Sequence, residues 1–178
     1  MGAQGERGYS LYELVVTLAV AAVVLTLGLP SFGALAADQR LRTEAMALFH
    51  AVHLARKSSI ARRRVVSLCP STDGERCTGG QDWSGGWIAF ANVDRDEPPQ
   101  RDPGEPVLVR HAVNERVRIA ANRRGFTLRA THLRATNGTL IVCDRAGRAR
   151  ARAVVVSYTG RPRVARADAA GQPYDCGD

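Results

Sequence analysis

GYSLYELVVTLAVAAVVLTLGLP, residues 8–30, is the stretch whose reading decides the architecture. Leu14 to Leu29 carries no charge. As a helix it would be ~24 Å long, short of the ~30 Å hydrocarbon core of a bilayer. A span that starts at Tyr9 is long enough, and it takes Glu13 into the membrane, where a carboxylate costs roughly 2.5 to 3.5 kcal/mol and less near a helix end. A residue retained at that cost has a use. A secretory signal places its small-x-small cleavage site after an apolar stretch of about 7 to 15 residues. Here the apolar run is longer, it continues through Pro30 into a helical pattern, and the conspicuous small residue, Gly8, stands before it. Cutting after Gly8 would leave the apolar helix on the mature chain.

Beyond Pro30 the pattern is first helical and then extended. From Ser31 to about Arg64 the only helix breaker is Gly33, and Leu41, Ala45, Leu48, Val52 and Ala55 recur at alternating steps of four and three. That spacing predicts an amphipathic helix with one apolar stripe, continuous with the apolar run and bent at Pro30. After Arg64 come short β-branched runs separated by turn residues: RVVSLC, GWIAFANV, PVLVRH, RVRIAA, FTLRA, TLIVC and RAVVVSY. The expected class is α+β, a long N-terminal helix, membrane-embedded in its first half, packed by its stripe on a mostly antiparallel β-sheet head. Asn137-Gly138 and Thr159-Gly160 are the expected hairpin turns. DRDEPPQRDPGEP, residues 94–106, reads as an exposed loop. The expected division is 1–8 as a leader, 9–64 as the helix with its transmembrane segment at about 9–30, and 65–178 as the head.

The chain has 178 residues and a formal charge of +8, enough for one domain besides the membrane segment. The charge is unevenly placed. Pro70 to Glu105 holds three arginines against eight acids, whereas Pro106 to Ala167 holds fourteen arginines against two. Lys57 is the only lysine, so arginine number alone reflects composition, and position carries the information. All four cysteines follow the apolar run, which fits a head exported to an oxidising compartment. They allow three connectivities. Pairing Cys69 with Cys77 and Cys143 with Cys176 is favoured, because the first closes a short polar loop and the second ties the chain's end to a strand.

Catalytic and metal motifs are absent: there is no HExxH, no GxSxG, no Walker glycine loop and no CxxC pair, and His50, His53, His111 and His132 lie scattered. Asp94, Asp96 and Glu97 do not follow a calcium-loop pattern. No cofactor is implied. Trp83 and Trp87, on either side of Gly85-Gly86, are expected to anchor a turn against the core. The strongest binding signal is Arg145 to Arg166, with seven arginines and no acid. Arg148, Arg150 and Arg152 alternate with alanine, so a strand would place all three on one face. Arg161 and Arg163 follow the Thr159-Gly160 turn, and Arg166 lies just beyond. A hairpin would gather arginines from both arms for a polyanion; the competing reading is a basic face docked on an acidic neighbour. With no aromatic residue next to any of them in sequence, these arginines suit phosphate contact rather than base stacking.

G-Y-S-L-Y-E-L, from Gly8 to Leu14, closely resembles the prepilin cleavage motif of type IV pilins and type II secretion pseudopilins. The resemblance implies cleavage between Gly8 and Tyr9 by a prepilin peptidase, methylation of the new Tyr9 amine, and pairing of Glu13 with a neighbouring subunit's amino terminus during filament assembly. Two opposite charges in low dielectric attract strongly, and each is costly alone. The alternative is a plain single-span anchor whose Glu13 reaches the headgroups. The order of the remaining parts, with Cys69 after the first strand, DWSGGWIAFANVDRD, Cys143 after TLIV, and VVVSYTGRPRV, resembles the FimT/FimU minor pilins and the related GspH pseudopilins. This implies the type IV pilin fold, no enzymatic activity, an inner-membrane single-pass protein with a periplasmic head that passes into the pilus near its tip, and major and minor pilins as partners. Gly160-Arg161-Pro162-Arg163 also resembles the G-R-x-R motif of FimT pilins that bind double-stranded DNA in natural transformation. A FimU-like subunit priming assembly and a GspH-like secretion pseudopilin are the alternatives.

Overall fold

The computed structural model describes residues 10–130 and 134–177, and within the helix the side chains of residues 27–31 lie outside the description. Gly8, Tyr9 and His132 therefore also lie outside it. The elements are α1 (Leu11–Arg62), β1 (Val66–Pro70), β2 (Trp87–Ala91), β3 (Val107–His111), β4 (Val117–Ala121), β5 (Phe126–Leu128), β6 (Gly138–Asp144), β7 (Arg152–Val156) and β8 (Pro162–Ala165). The chain divides into two compact units, Met1–Ala36 and Ala37–Asp178.

In the first unit, α1 starts where Ser10 Oγ accepts the Glu13 N–H at 3.2 Å, satisfying one of the orphan donors of the first turn. The S-x-x-E spacing is that of a capping box, of which the bond from the Glu13 N–H to Ser10 Oγ is formed. Leu11, Leu14, Val15, Leu18, Val23 and Val24 are exposed. Among the described residues no helix is long and apolar enough to cross a membrane. The expected span at about 9–30 is therefore not met by them, because Tyr9 and the side chains of 27–31, which supply its length, lie outside. The helical assignment runs through Pro30.

In the second unit the expected stripe is the core of the head. Leu41, Ala45, Leu48, Val52 and Ala55 are fully buried, and they share one cluster with Val66, Leu68, Trp83, Ile119, Phe126, Leu140, Val142 and Val154. The helix ends at Arg62, where Arg63 takes φ 50° and Arg64 N–H returns to Ser59 O at 3.2 Å. Two four-stranded sheets pack against it, in the orders β3-β2-β1-β5 and β4-β6-β7-β8, and every pairing is antiparallel. The seven runs read from the sequence all carry strands.

β1 and β2 are buried on both faces and so do not alternate. Their second face, with Cys69, Ile88 and Phe90, forms a smaller cluster with Cys77 and Val107. Both favoured disulfides are present, Cys69–Cys77 and Cys143–Cys176. Trp83 and Trp87 are buried as expected, Trp83 edge-on to Phe126 and Trp87 stacked on His111. Gly86 between them has φ 130°, and a Cβ there would stand 2.6 Å from His111 O and 2.9 Å from Ser71 O, so the turn requires glycine.

One expected turn is absent. Gly138 opens β6, which pairs with β4 and β7 rather than β5, and Asn137 precedes it in the connection. The loop of residues 94–106 is less exposed than expected. Glu105 is buried, and its carboxylate accepts Val93 N–H at 2.5 Å and Asp102 N–H at 3.1 Å. The carboxyl of Asp96 is held above its ordinary range, chiefly by burial and also by Asp94 and Glu105.

Candidate functional site

The Thr159-Gly160 turn is present as read and joins β7 to β8. Gly160 N–H donates to Ser157 O at 2.8 Å, Ser157 N–H to Arg161 O at 3.1 Å, and Arg161 N–H to Ser157 Oγ at 3.2 Å. Gly160 has φ 73°, and a Cβ there would lie 2.9 Å from Leu128 Cδ1 and 3.2 Å from Arg56 Cδ. The turn is thus pressed onto β5 and the late part of α1, and Ala135 N–H fixes it from the side by donating to Tyr158 O at 2.9 Å. Pro162 is buried, whereas Arg161 and Arg163 on either side of it are exposed. Arg163 pairs in register with Val155, on the opposite parity from the core residues Val154 and Val156. Among the described residues neither arginine is in an ion pair. Two permanent cations thus stand beside each other in sequence spacing and face water.

The turn has a third cation that sequence reasoning missed. Arg134 Cζ lies 5.7 Å from the centroid of the Tyr158 ring, within cation–π range. Both residues are exposed, so an aromatic ring does stand among the turn arginines, with Arg134 set over it. Arg134 is 24 positions before Tyr158 in sequence, so local spacing could not signal the contact; only the hydrogen bond from Ala135 to Tyr158 brings the two together.

The other arginines do not join them. Arg148 and Arg150 are not in a strand: β6 ends at Asp144, whose backbone carbonyl accepts Gly147 N–H and whose Oδ2 accepts Arg148 N–H, both at 3.0 Å. The D-x-x-G turn overrides the alternation. Arg152 opens β7 but points the other way, toward α1, where it is buried and its Nη2 donates to both Asp38 oxygens at 2.7 and 2.8 Å. Beside it Arg40 approaches the buried Asp144 at 3.7 Å. Arg166 follows β8 and lines a cavity with Asp38, Arg42 and Arg152. The expected six-arginine face is therefore split between the two ends of β7, with Arg161 about 16 Å and Arg163 about 10 Å from Arg152 along the strand.

Glu13 is exposed in the first turn of α1. His111 Nε2 lies 2.7 Å from Glu44 Oε2, and Glu44 Oε1 accepts Asn114 N–H at 3.1 Å. This clamp joins α1 to the end of β3. In the acidic stretch Glu75 pairs with Arg101 and Arg110, and Glu97 pairs with Arg129, so that two arginines of the basic stretch, Arg110 and Arg129, are taken up by its acids.

A long helix laid by one stripe on antiparallel sheets, stapled by two disulfides and carrying a basic turn, defines a pilin-type structural head. The family model described as Type II transport protein GspH matches residues 44–160, and the chain belongs to that family. No curated protein matches it. The type IV minor pilin FimU of Pseudomonas aeruginosa strain PAO1 shares the fold in two crystal forms. One has 17% identity, a TM-score of 0.54 and coverage of 76% of this chain and 99% of that one; the other has 18%, 0.54, 79% and 97%. The minor pseudopilin EpsH of the Vibrio cholerae type 2 secretion system is also similar, at 10% identity and TM-score 0.49 over 71% of this chain and 96% of that one. Members of that family are structural proteins and not enzymes. Arg161 and Arg163 lie just beyond the family match.

Proposed function

We propose that the chain is a minor type IV pilin that carries a non-specific binding site for double-stranded DNA at its β7–β8 turn, used in DNA uptake during natural transformation. The observation that carries the reading is the pair Arg161 and Arg163, exposed on a buttressed turn with no acidic partner among the described residues. A buttressed turn fixes the backbone that carries the two charges, so only their side chains are ordered on binding, and phosphate neutralisation with counterion release needs no base contact. Arg134 adds a third charge at the same turn. Arg148, Arg150 and Arg166 contribute only long-range attraction, and Arg152 none.

The same proposal has the leader removed between Gly8 and Tyr9 by a prepilin peptidase, Tyr9 methylated, residues about 9–30 held in the inner membrane with the head in the periplasm, and the subunit then passed into the pilus near its tip through Glu13. The exposed apolar side chains of Leu11 to Leu25 support this, because lipid or neighbouring helices would cover them. Intact-mass analysis of membrane-extracted protein is expected to show loss of Met1 to Gly8 with one added methyl group; a mature chain starting beyond Leu29 would contradict it. Glu13→Gln keeps a residue able to complete the capping box and removes the charge. It is expected to leave insertion intact and to reduce incorporation into sheared filaments, whereas unchanged incorporation would leave Glu13 as a helix cap alone.

Binding is tested with the full chain in neutral detergent and duplex DNA at low salt. Arg161→Gln with Arg163→Gln is expected to remove most binding, and Arg123→Gln with Arg124→Gln, outside the hairpin, to remove little. Equal losses would reduce the site to diffuse basic charge. The family description favours a second reading, a subunit of a secretion pseudopilus; absence of DNA binding by the parent at low salt would put that reading first.

A further inference from the structure

On the helix side of β8 a cavity of about 360 Å³ is lined by Asp38, Arg42 and Met46 of α1, by Arg152, and by Val164 and Arg166. Three guanidinium groups meet one carboxylate there. Arg152 holds Asp38, yet its Nε is buried without a hydrogen-bond partner among the described residues. Arg42 and Arg166 are exposed, and neither is in an ion pair among the described residues. The site therefore carries two positive charges in excess, and like charges lining one cavity are costly unless an anion joins them.

The chemistry of the lining selects the anion. With two positive charges in excess the lining attracts any anion, and Asp38 shows that a carboxylate fits among these guanidinium groups. A planar carboxylate matches the fork of a guanidinium, and Asp38 occupies only Nη2 of Arg152, leaving Nε without a partner among the described residues. Met46 and Val164 supply an apolar wall for the methylenes of an acidic side chain. Asp38, Arg42, Val164 and Arg166 all lie outside residues 44–160, so the family match does not assign this feature.

We propose that this cavity is a carboxylate socket that receives an Asp or Glu side chain from an adjoining filament subunit. A socket on one subunit and an acid on a different patch of the next form a heterologous contact, the kind that propagates into a filament instead of closing into a pair. The inference rests on the filament-subunit reading and is separate from DNA binding, because the socket and the β7–β8 turn lie at opposite ends of β7.

The test has two arms. In the first, the full chain with ¹⁵N-labelled arginine in neutral detergent is titrated with acetyl-Gly-Glu-Gly-amide and, separately, with inorganic phosphate. The peptide is expected to shift the Nε–H signals of Arg42, Arg152 and Arg166 saturably while those of Arg161 and Arg163 stay in place. Arg42→Gln with Arg166→Gln removes two of the three guanidinium groups and is expected to weaken the response by about tenfold or more. No saturable shift, or a stronger response to phosphate than to the peptide, overturns the assignment. In the second arm, Arg42→Glu with Arg166→Glu is expected to lower incorporation into sheared filaments several-fold, with thermal stability unchanged and DNA binding weakened less than by Arg161→Gln with Arg163→Gln; parental incorporation by this variant overturns the docking role. A parent that does not enter filaments would sink the filament reading, while the peptide titration still decides whether the socket exists.

Discussion

The two ends of β7 carry the same residue type and have opposite fates. At its start Arg152 is folded inward against Asp38, with Arg40 and Asp144 beside it, and arginine there is part of the structure. At its end Arg161 and Arg163 stand outside the core and meet no acid among the described residues. Arginine density along a sequence therefore does not measure a binding surface. The deciding quantity is how many carboxylates the fold brings to each guanidinium, and that is a tertiary property.

The largest effect expected from breaking this contrast comes from the turn's frame. Gly160→Ala places a side chain at φ 73° and against Leu128, and should cost about 2 to 3 kcal/mol, the upper part of the range for a non-glycine residue held in the left-handed region. Thermal melting reads the loss, and DNA binding should fall with it as the turn shifts. Next comes Arg152→Ala. The arginine is buried but Asp38 is half exposed, so the cost should lie between a surface pair and a buried one, about 1 to 2 kcal/mol, with DNA binding kept. Arg161→Gln with Arg163→Gln should do the reverse, changing stability by no more than about 0.5 kcal/mol.

Arg134→Gln sharpens the comparison further. It removes one phosphate contact and the contact with Tyr158, so binding should weaken roughly three- to tenfold with stability nearly unchanged. The smallest effect belongs to a carboxylate away from both ends. Hydrogen bonding from the Ser84 side chain, then from its backbone N–H, holds Asp82 below the ordinary carboxylate range. A depressed value means stabilisation that is present above the unfolded-state pKa and lost as pH falls through the folded one. Asp82→Asn should therefore melt slightly lower than the parent at neutral pH, and the gap should close as the pH falls below the unfolded-state value of about 3.9 and through the lower folded-state one.

Sequence periodicity exposed the frame because helix and strand periods are local. The four and three steps from Leu41 to Ala55 located the buried stripe, and Thr159-Gly160 located the turn. Asn137-Gly138 has the same composition as a hairpin turn, but β5 and β6 belong to different sheets, and strand partnership is not written in a dipeptide. The alternation at Arg148, Arg150 and Arg152 was visible, whereas the D-x-x-G turn that interrupts it was outweighed by the alanine spacing. Even a correct strand assignment would have left open which face Arg152 takes, because its partner Asp38 lies 114 residues away. Arg134 was invisible for the same reason.

The most direct measurement is the salt dependence of duplex DNA binding by the full chain in neutral detergent, compared among the parent, Arg161→Gln with Arg163→Gln, and Arg148→Gln with Arg150→Gln. Each lost phosphate contact removes about 0.9 from the slope of log affinity against log salt. The turn variant is expected to lose nearly two contacts' worth of slope and most of its affinity, while the loop variant keeps the parental slope. Equal losses in the two variants, which have the same net charge, would contradict a site at the turn.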